Sequence, residues 1–228
     1  IQRREEDFTH AAEYVSVSGS VGWAPASGVV GNLNAKTTLY QPDNKETAKL
    51  FPVDGPEGRR LYQGAEDEVF IELGGDYEFA LGPGRLKAIG LLRREDSPIV
   101  DRLFQSNLDG SDQFGSVFER DIEEGEYILR TEYSLGLDSG ADWQVALEGA
   151  FNYLDQQSSL ASSEGGGPLE PQTLPNANSR VEEQRGEVSV THGRRLSPTV
   201  TAQVSLGAEI SELSQSGDAS NVRTFTRP

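Results

Sequence analysis

The chain has 228 residues and a formal net charge of −17, with no cysteine, no methionine and two histidines. The absence of cysteine excludes disulfides, thiolate metal sites and cysteine nucleophiles, and the acidic balance argues against binding of nucleic acid, because it repels phosphate. No run approaches eighteen consecutive apolar residues, so the sequence predicts no transmembrane helix. The first residue is Ile1 and no signal peptide opens the chain, so we expect a mature chain, a domain or a fragment.

Four pairs of segments follow one another along the chain, and in most of them apolar and polar residues alternate. A period of two is typical of extended strands, whose successive side chains point to opposite faces. The segment NVRTFTRP adds the start of a ninth strand. The pairs are EYVSVSGSVGW with VVGNLNAKTTLY, VFIELGGDYEFAL with RLKAIGLLRRE, EYILRTEYSLGL with ADWQVALEGAFNYLDQ, and GEVSVTHGRRL with TVTAQVSLGAEISELSQ.

The connections are of two alternating kinds. Glycine, proline, serine and aspartate supply the backbone angles of short turns within the pairs, which we place at 25–28, 82–84, 138–141 and 196–198. Long polar loops are predicted between the pairs, at 41–66, 96–117 and 157–179. Several long structureless loops are unusual in a compact soluble domain. Short turns alternating with long loops are expected in outer-membrane barrels.

Residues 141–156 show the alternation most clearly. Every second residue from Trp143 to Tyr153 is apolar or glycine, whereas the other set is polar or small. A soluble β-sandwich and a membrane barrel both produce this pattern, so the alternation alone leaves the two open. In RLKAIGLLRRE two phases compete, because Leu86, Ala88 and Leu92 favour one face while Ile89 and Leu91 favour the other.

Strand length and the placement of aromatic rings favour a membrane barrel over a soluble β-sandwich. The readable strands have about 11–16 residues, whereas soluble strands usually have 3–10. Trp143 and Tyr153 would lie about 25 Å apart along the axis of a barrel with tilted strands, which is the height of its lipid-facing band. Trp23 and Phe79 also stand beside short turns, while Tyr40 and Tyr127 stand beside long loops.

We therefore predict an all-β fold: a segment of an antiparallel transmembrane β-barrel, with about eight or nine long strands in meander hairpins. The whole of 1–228 would be a partial barrel without a plug domain. The residues predicted to face lipid are Trp23, Phe79, Trp143, Val145, Leu147, Phe151, Tyr153, Val204 and Leu206.

No residue pattern predicts catalysis, a cofactor or a metal site. His10 and His192 are interpreted as strand residues at a wet face or an interface. The oxygen-rich stretch 107–112 lacks the full spacing of a calcium loop and is interpreted as a turn. The carboxylates at 123, 124 and 126 have nothing to position them for acid–base chemistry. The acidic stretches 64–70 and 118–126 are interpreted as solvated loops and strand ends, so we expect no enzyme and no cofactor.

Several of these segments resemble barrel segments of TonB-dependent outer-membrane receptors of Gram-negative bacteria. The resemblance is carried by GEYILRTEYSLGL…ADWQVALEGAFNYLDQQSSL, LSPTVTAQVSLGAEISELSQSG…RTFTRP and DYEFALGPGRLKAIGLLRRE. The resemblance spans the chain from about residue 11 and is strongest in 60–95 and 118–228. It rests on the residue pattern of the strands. Members of the family have a plug domain, a segment that contacts TonB and a barrel of about 22 strands.

The resemblance implies an internal piece of such a barrel, located in the outer membrane and in contact with its lipid. The plug and the TonB-contacting segment would come from other parts of the protein. The implied function is energy-coupled uptake of an iron chelate, cobalamin or an oligosaccharide, with no residue assigned to the ligand. Two alternatives remain: a small closed passive or adhesive barrel of eight strands, and a secreted glycan-binding β-sandwich.

Overall fold

A computed structural model describes residues 3–228 as a single antiparallel sheet of 12 strands. No helix occurs in that part of the chain, and none there could therefore cross a membrane. The strands are β1 (Arg3–Trp23), β2 (Val30–Phe51), β3 (Gly58–Glu66), β4 (Glu68–Leu81), β5 (Gly84–Asp96), β6 (Ile99–Asn107), β7 (Phe114–Gly136), β8 (Ala141–Glu164), β9 (Glu170–Pro171), β10 (Asn178–Ser197), β11 (Val200–Gly217) and β12 (Asn221–Arg227).

The sheet is a simple meander, because β3 continues into β4 and β5 continues into β6 without a change of register. On β2, Tyr40 lies opposite Glu68 of β4 and Asp43 lies opposite Ala65 of β3, three residues away on both strands. In the same way, β5 and β6 both pair with β7 in one continuous register. Eleven of the strands thus occupy nine neighbouring positions, and the two-residue β9 adds a short pairing with β8.

Two prolines account for these interruptions. Pro42 lies inside β2 and Pro98 between β5 and β6, and neither has an N–H group to donate to the ladder. Neighbouring groups still bond across the second gap: the amide of Asp67 donates to the carbonyl of Pro98 (3.1 Å), and the amide of Ser97 donates to that of Ile122 (2.9 Å). The long strands therefore pass through the interruptions.

The predicted loops at 41–66 and 96–117 are wrong. Most of both segments is strand, and only residues 52–57 and 108–113 connect the longer strands there. In the third segment, β8 continues to Glu164 and the irregular part is 165–177, apart from β9. The acidic stretches 64–70 and 118–126 are likewise strand except at Asp67. Backbone pairing continues where the apolar alternation ends, because the ladder does not require apolar side chains.

All short turns lie along one edge of the sheet, which is formed by the ends of the strands, and the other connections lie along the opposite ends. The chain turns at 24–29, 82–83, 137–140 and 198–199 along the first edge, called here the turn edge. Residues 52–57, 108–113, 165–177 and 218–220 lie along the second, called here the loop edge.

The sheet has no conventional hydrophobic core. Within residues 3–228 no large side chain is fully buried, and the buried apolar residues are mainly alanines. A soluble domain normally buries one face of a sheet against a second layer. Here no second layer covers either face of the described sheet. The environment of each face therefore has to be inferred from the side chains on that face.

Candidate membrane-facing surface

The hydrogen-bond register assigns each strand residue to one of two faces, because directly opposite residues in an antiparallel pair share a face. Trp143 of β8 lies opposite Leu135 of β7 and His192 of β10, and Leu147 lies opposite Thr131 and Val188. Extending these rows from β1 to β11 separates an apolar face from a polar face.

The nine residues predicted to face lipid all lie on the apolar face by this register. The face also contains apolar residues that were not singled out from the sequence, although the period-two alternation of EYVSVSGSVGW already contains three of them. The additional members include Val15, Val17, Val21, Leu33, Leu39, Val69, Ile71, Leu73, Tyr77, Leu129, Val188 and Ile210.

The apolar face is exposed over its whole width. Leu147 is 55% exposed, Val17 62% and Leu206 76%, on β8, β1 and β11 respectively. Soluble monomers rarely expose contiguous apolar patches larger than a few hundred Å². An apolar surface that crosses eight strand positions therefore requires an apolar environment.

Pairing settles the phase of β5. Leu86 lies opposite Phe79 and Tyr133, and Leu92 lies opposite Leu73 and Tyr127, so both belong to the apolar face. Ile89 and Leu91 point to the polar face. The sequence of β5 alone could not decide this, because both phases contain leucine or isoleucine.

Aromatic rings border the apolar face at both edges, and several lie close to a glycine of the neighbouring strand. A Cβ at Gly31 would lie 2.3 Å from the Trp23 ring, and one at Gly125 would lie 2.1 Å from the Tyr153 ring. Tyr153 stacks on Tyr127 with ring centroids 6.4 Å apart. Covering a strand glycine with an aromatic ring stabilises sheets.

The placement of Tyr40 in the aromatic border is wrong, and the sequence did not specify the face of His192. Tyr40 lies on the polar face, where its ring meets that of Tyr14 at 6.3 Å, so it does not belong to the aromatic border. His192 lies on the apolar face at the turn edge, with its ring 4.3 Å from that of Trp143.

The boundary of the apolar face crosses the hydrogen-bonded rows at an angle. Glu13 and Glu212 end the face on β1 and β11, but Glu212 is level with Gly19, six residues away from Glu13. At about 3.3 Å per residue and about 4.8 Å per strand spacing, the boundary shifts by about 20 Å over about 34 Å, an inclination of about 30°.

The two tryptophans give the same inclination. Trp23 is level with Leu147, which is four residues from Trp143 and five strand spacings away. This corresponds to about 13 Å over about 24 Å, again close to 30°. Both borders of the apolar face are therefore inclined to the rows by the same angle.

The polar face carries a network of ion pairs across the strands. Glu148 accepts hydrogen bonds from Arg130 (3.2 Å) and Arg185 (2.9 Å), so it joins β7, β8 and β10. Arg93 of β5 similarly pairs with Glu72 at 2.9 Å and Glu126 at 3.3 Å. This face can hold water or polar solutes, and these two glutamate–arginine clusters are paired within the sheet.

Towards the loop edge the strands continue beyond the apolar face, and there charged and polar residues occur on both faces. The Tyr62 hydroxyl donates a hydrogen bond of 2.6 Å to Asp101 on the polar face. That bond, together with burial, raises the pKa of Tyr62 to about 12. On the other face, Arg94 pairs with Glu123 at 3.0 Å. The extensions are thus suited to water on both sides.

The residues considered for chemistry do not come together. Glu123 lies on the opposite face from Glu124 and Glu126 by register. His10 bonds Asn44 at 2.8 Å between Nδ1 and Oδ1. Residues 108–113 form a turn in which Asp109 accepts hydrogen bonds from the amide and hydroxyl of Ser111, and these lower its pKa. Among residues 3–228 no cluster of histidine and carboxylate side chains could hold a metal ion.

The chain matches no protein-family profile and no curated protein sequence. Among solved structures it is similar to the ferric preacinetobactin receptor BauA from Acinetobacter baumannii, with 7% identity and a TM-score of 0.34 over 99% of this chain. It is similar to the unliganded ferric citrate transporter FecA, with 8% identity and a TM-score of 0.35 over 96% of this chain. The translocator domain of the autotransporter NalP from Neisseria meningitidis gives 13% identity and a TM-score of 0.24 over 90%.

The chain spans 43% of the length of BauA, 40% of FecA and 75% of the NalP domain. At these scores the comparisons leave the assignment to the chemistry of the two faces.

Proposed function

We propose that the sheet is part of the wall of an outer-membrane β-barrel, with the apolar face against lipid and the polar face towards the lumen. The observation that carries this proposal is the exposed apolar face bordered by aromatic rings. Trp143 and Tyr153 are ten residues apart on β8, or about 33 Å, which a tilt near 30° reduces to about 29 Å. The apolar band of outer-membrane barrels is about 25 Å tall.

The inclination of the apolar face supports the same proposal. Strands in membrane barrels tilt by about 35–45° from the axis, so a horizontal lipid band must cross the hydrogen-bonded rows at a comparable angle. The borders of the apolar face are inclined by about 30°. A face buried in a sandwich has no reason to shift steadily from strand to strand, and no second sheet packs on residues 3–228.

A matched pair of arginine substitutions tests the assignment of the faces. Leu147 and Val188 are level on the apolar face, while Ser189 lies beside them on the polar face. Leu147→Arg should lower the free energy of unfolding from lipid vesicles by about 2–4 kcal/mol, because the guanidinium enters hydrocarbon. Ser189→Arg should change it by less than about 1 kcal/mol. Equal costs would overturn the proposal.

Within this class we favour a TonB-dependent receptor that takes up a scarce ligand with energy from TonB. Support comes from the resemblance of the strands and from the extension of the long strands beyond the apolar face. By resemblance the ligand would be an iron chelate, cobalamin or an oligosaccharide. The plug and the TonB-contacting segment would lie outside these residues.

Affinity for TonB distinguishes this receptor from a passive or adhesive barrel. The native protein, solubilised from the outer membrane, should be retained on the immobilised periplasmic domain of TonB and released by excess soluble domain. A chemically inactivated column of the same matrix is the control. Absence of retention would favour a barrel that needs no energy coupling.

A further inference from the structure

Four basic side chains without ion-pair partners lie on the outward side of the sheet, beyond the apolar face. The outward side is the apolar face together with its continuation along the strands towards the loop edge. By register, Lys45, Lys49, Arg59 and Arg102 all point to this side. Within residues 3–228 none of the four has a carboxylate oxygen within 4 Å. They are called here the basic patch.

The lack of ion-pair partners in the basic patch does not come from a missing neighbouring strand. Lys45 and Lys49 lie on β2, which is paired with β1 on one side and with β3 on the other. Arg59 lies on β3 and Arg102 on β6, and each of these strands is also paired on both sides. The neighbouring strands are therefore present, and the patch is a property of the sheet itself.

The carboxylates in the same rows do not neutralise the basic patch. Glu5 lies opposite Lys49, but it pairs with Arg3 at 3.3 Å. Asp7 lies opposite Thr47, in the row between those of the two lysines. Within these rows the four cations of the patch are thus opposed by Asp7 alone, although the whole chain has a net charge of −17. This part of the surface therefore attracts anions.

The basic patch borders a cleft of about 770 Å³, whose lining residues lie mostly on the outward side. Lys49, Arg59 and Ser106 form one row of the lining, and Arg59 Nε donates to the Ser106 hydroxyl at 3.2 Å. Leu61 and Phe104 lie directly opposite each other in the next row and make part of the lining apolar. Phe104 is 41% exposed, so a sugar ring can pack against its face. Cations beside a flat apolar surface fit an anionic saccharide.

The height of the basic patch above the apolar face restricts which anionic saccharide can reach it. Lys45 and Lys49 lie six and ten residues beyond Leu39, where the apolar face ends on β2. At about 3.3 Å per residue and a tilt near 30°, these distances are about 17 and about 29 Å along the barrel axis. The head-group layer of an ordinary bilayer extends only about 5–8 Å beyond the hydrocarbon. Ordinary phospholipid head groups therefore end below the patch, whereas an oligosaccharide head group is long enough to reach it.

Carboxylates between the apolar face and the basic patch restrict where the saccharide carries its charge. Asp43 and Glu119 lie in one row on the outward side, and this row adjoins that of Lys45 towards the apolar face. Like charges repel, so phosphate groups are disfavoured at the level of this row and are attracted beyond it. The phosphates should therefore be attached to sugars that are distant from the acyl chains.

We propose that the basic patch binds the phosphorylated oligosaccharide head group of a lipid that lies against the outside of the barrel. The acyl chains of this lipid contact the apolar face, which belongs to the same side of the sheet, and its distal phosphates pair with the patch. This inference rests on the proposed membrane position. It concerns a lipid held on the outside of the wall, and not the ligand that is taken up through the lumen.

Binding of a labelled glycolipid to the full-length protein in detergent tests the proposal. The probe is bacterial lipopolysaccharide with a phosphorylated core, and it is compared with the same molecule after removal of its phosphates. The native protein should prefer the phosphorylated form. Substitution of both Lys49→Gln and Arg59→Gln should weaken binding of that form by about tenfold or more, because two charged partners of the phosphates are lost.

The double variant Arg194→Gln with Arg195→Gln is the matched control. Both arginines are exposed and have no carboxylate within 4 Å in residues 3–228, but they lie at the turn edge. Their substitution should leave the affinity for the glycolipid unchanged.

Two further probes identify the source of the phosphorylated saccharide. Phosphatidylglycerol should not displace the labelled glycolipid, because its head group is too short to reach the patch. The oligosaccharide released from its acyl chains should bind about tenfold or more weakly than the intact glycolipid, because the contact with the apolar face is lost.

Several results would overturn the proposal. Equal affinities of the two double variants, equal binding of the phosphate-free glycolipid, or displacement by phosphatidylglycerol would each mean that the patch does not recognise this head group. Equally tight binding of the released oligosaccharide would mean a soluble occupant. A change in the mass of the solubilised particle without a change in glycolipid affinity would mean that the patch contacts a second copy. The comparison of Leu147→Arg with Ser189→Arg tests the membrane position separately, so either claim can fail alone.

Discussion

At the scale of single residues, most ion pairs on the polar face join neighbouring strands. Glu148 has a side chain only 14% exposed and is the acceptor shared by Arg130 and Arg185. Glu187 lies directly opposite Glu148 on β10 and also opposite Glu209 on β11. Three carboxylates therefore share one row, and only the outer two have arginine partners within 4 Å in the described chain.

Glu148→Gln should destabilise the sheet by about 1–2 kcal/mol, because two half-buried guanidinium groups lose their shared charged acceptor. Glu187→Gln is the matched control in the same row. It removes like-charge repulsion and should change the free energy of unfolding by less than about 0.5 kcal/mol. Urea unfolding from lipid vesicles measures both, and an equal or larger loss at Glu187 would contradict the network.

Tyr62 should titrate near pH 12, because its hydroxyl donates to the Asp101 carboxylate and is partly buried. The neutral phenol is stabilised in the folded chain, so this contribution is complete below the ordinary tyrosine pKa near 10 and is lost as pH rises through about 12. The difference in phenolate absorbance between the protein and Tyr62→Phe isolates this group.

Asp101→Asn is the control for that titration. The variant removes the negative acceptor, so the Tyr62 midpoint should fall towards 10. A midpoint that is the same with Asp101 and with Asn would contradict the hydrogen bond as the main cause.

Alternation in the sequence predicted residues on the apolar face where one phase was clearly more hydrophobic. Trp143, Val145 and Leu147 are the clearest examples. Tyr40 was placed by its position beside a supposed loop, not by alternation, and it lies on the polar face. Alternation could not decide the phase of β5. Both cases need the register of neighbouring strands, which is a property of pairs of segments rather than of either segment alone.

At the scale of strands, the main error in sequence reasoning concerned where the strands end. Segments 41–66 and 96–117 contain proline and charged residues and were predicted as loops. Pro42 and Pro98 remove single donors, yet the ladder resumes in the same register beyond them. The strands continue because their neighbours on the other side supply partners, and composition gives no signal of this.

Glycines under aromatic rings fix the borders of the apolar face, and Gly125 provides a test. Gly125→Ala would place a Cβ 2.1 Å from Cε1 of Tyr153. The ring must move, which breaks its 2.6 Å hydrogen bond to Glu123. We expect a loss of about 1–3 kcal/mol in the free energy of unfolding.

Gly149→Ala is the matched control on the neighbouring strand of the same face, because nothing lies within 4 Å of a Cβ there. We expect a change of less than about 1 kcal/mol for that variant, in either direction. If both alanines cost the same, the packing of Tyr153 over Gly125 is not what stabilises this border.

At the scale of the whole molecule, the described sheet differs from a soluble domain because it has one exposed apolar face, one polar face and no hydrophobic core. Three features that depend on different residues support the same proposal of a barrel wall: the exposed apolar face, its aromatic borders and its inclination to the hydrogen-bonded rows. Sequence reasoning reached the all-β class and the meander of hairpins because alternation and turn residues are local.

The most direct test is the depth of labels on the two faces of β8. The chain has no cysteine, so single cysteines at Val145, Leu147 and Phe151, and at Gln144 and Asn152 as controls, can carry an environment-sensitive fluorophore. In the native membrane, nitroxide groups on lipid chains should strongly quench the first three, most deeply at Leu147, and barely affect the two controls. Equal quenching on both faces, or stronger quenching at Gln144 and Asn152, would contradict the account.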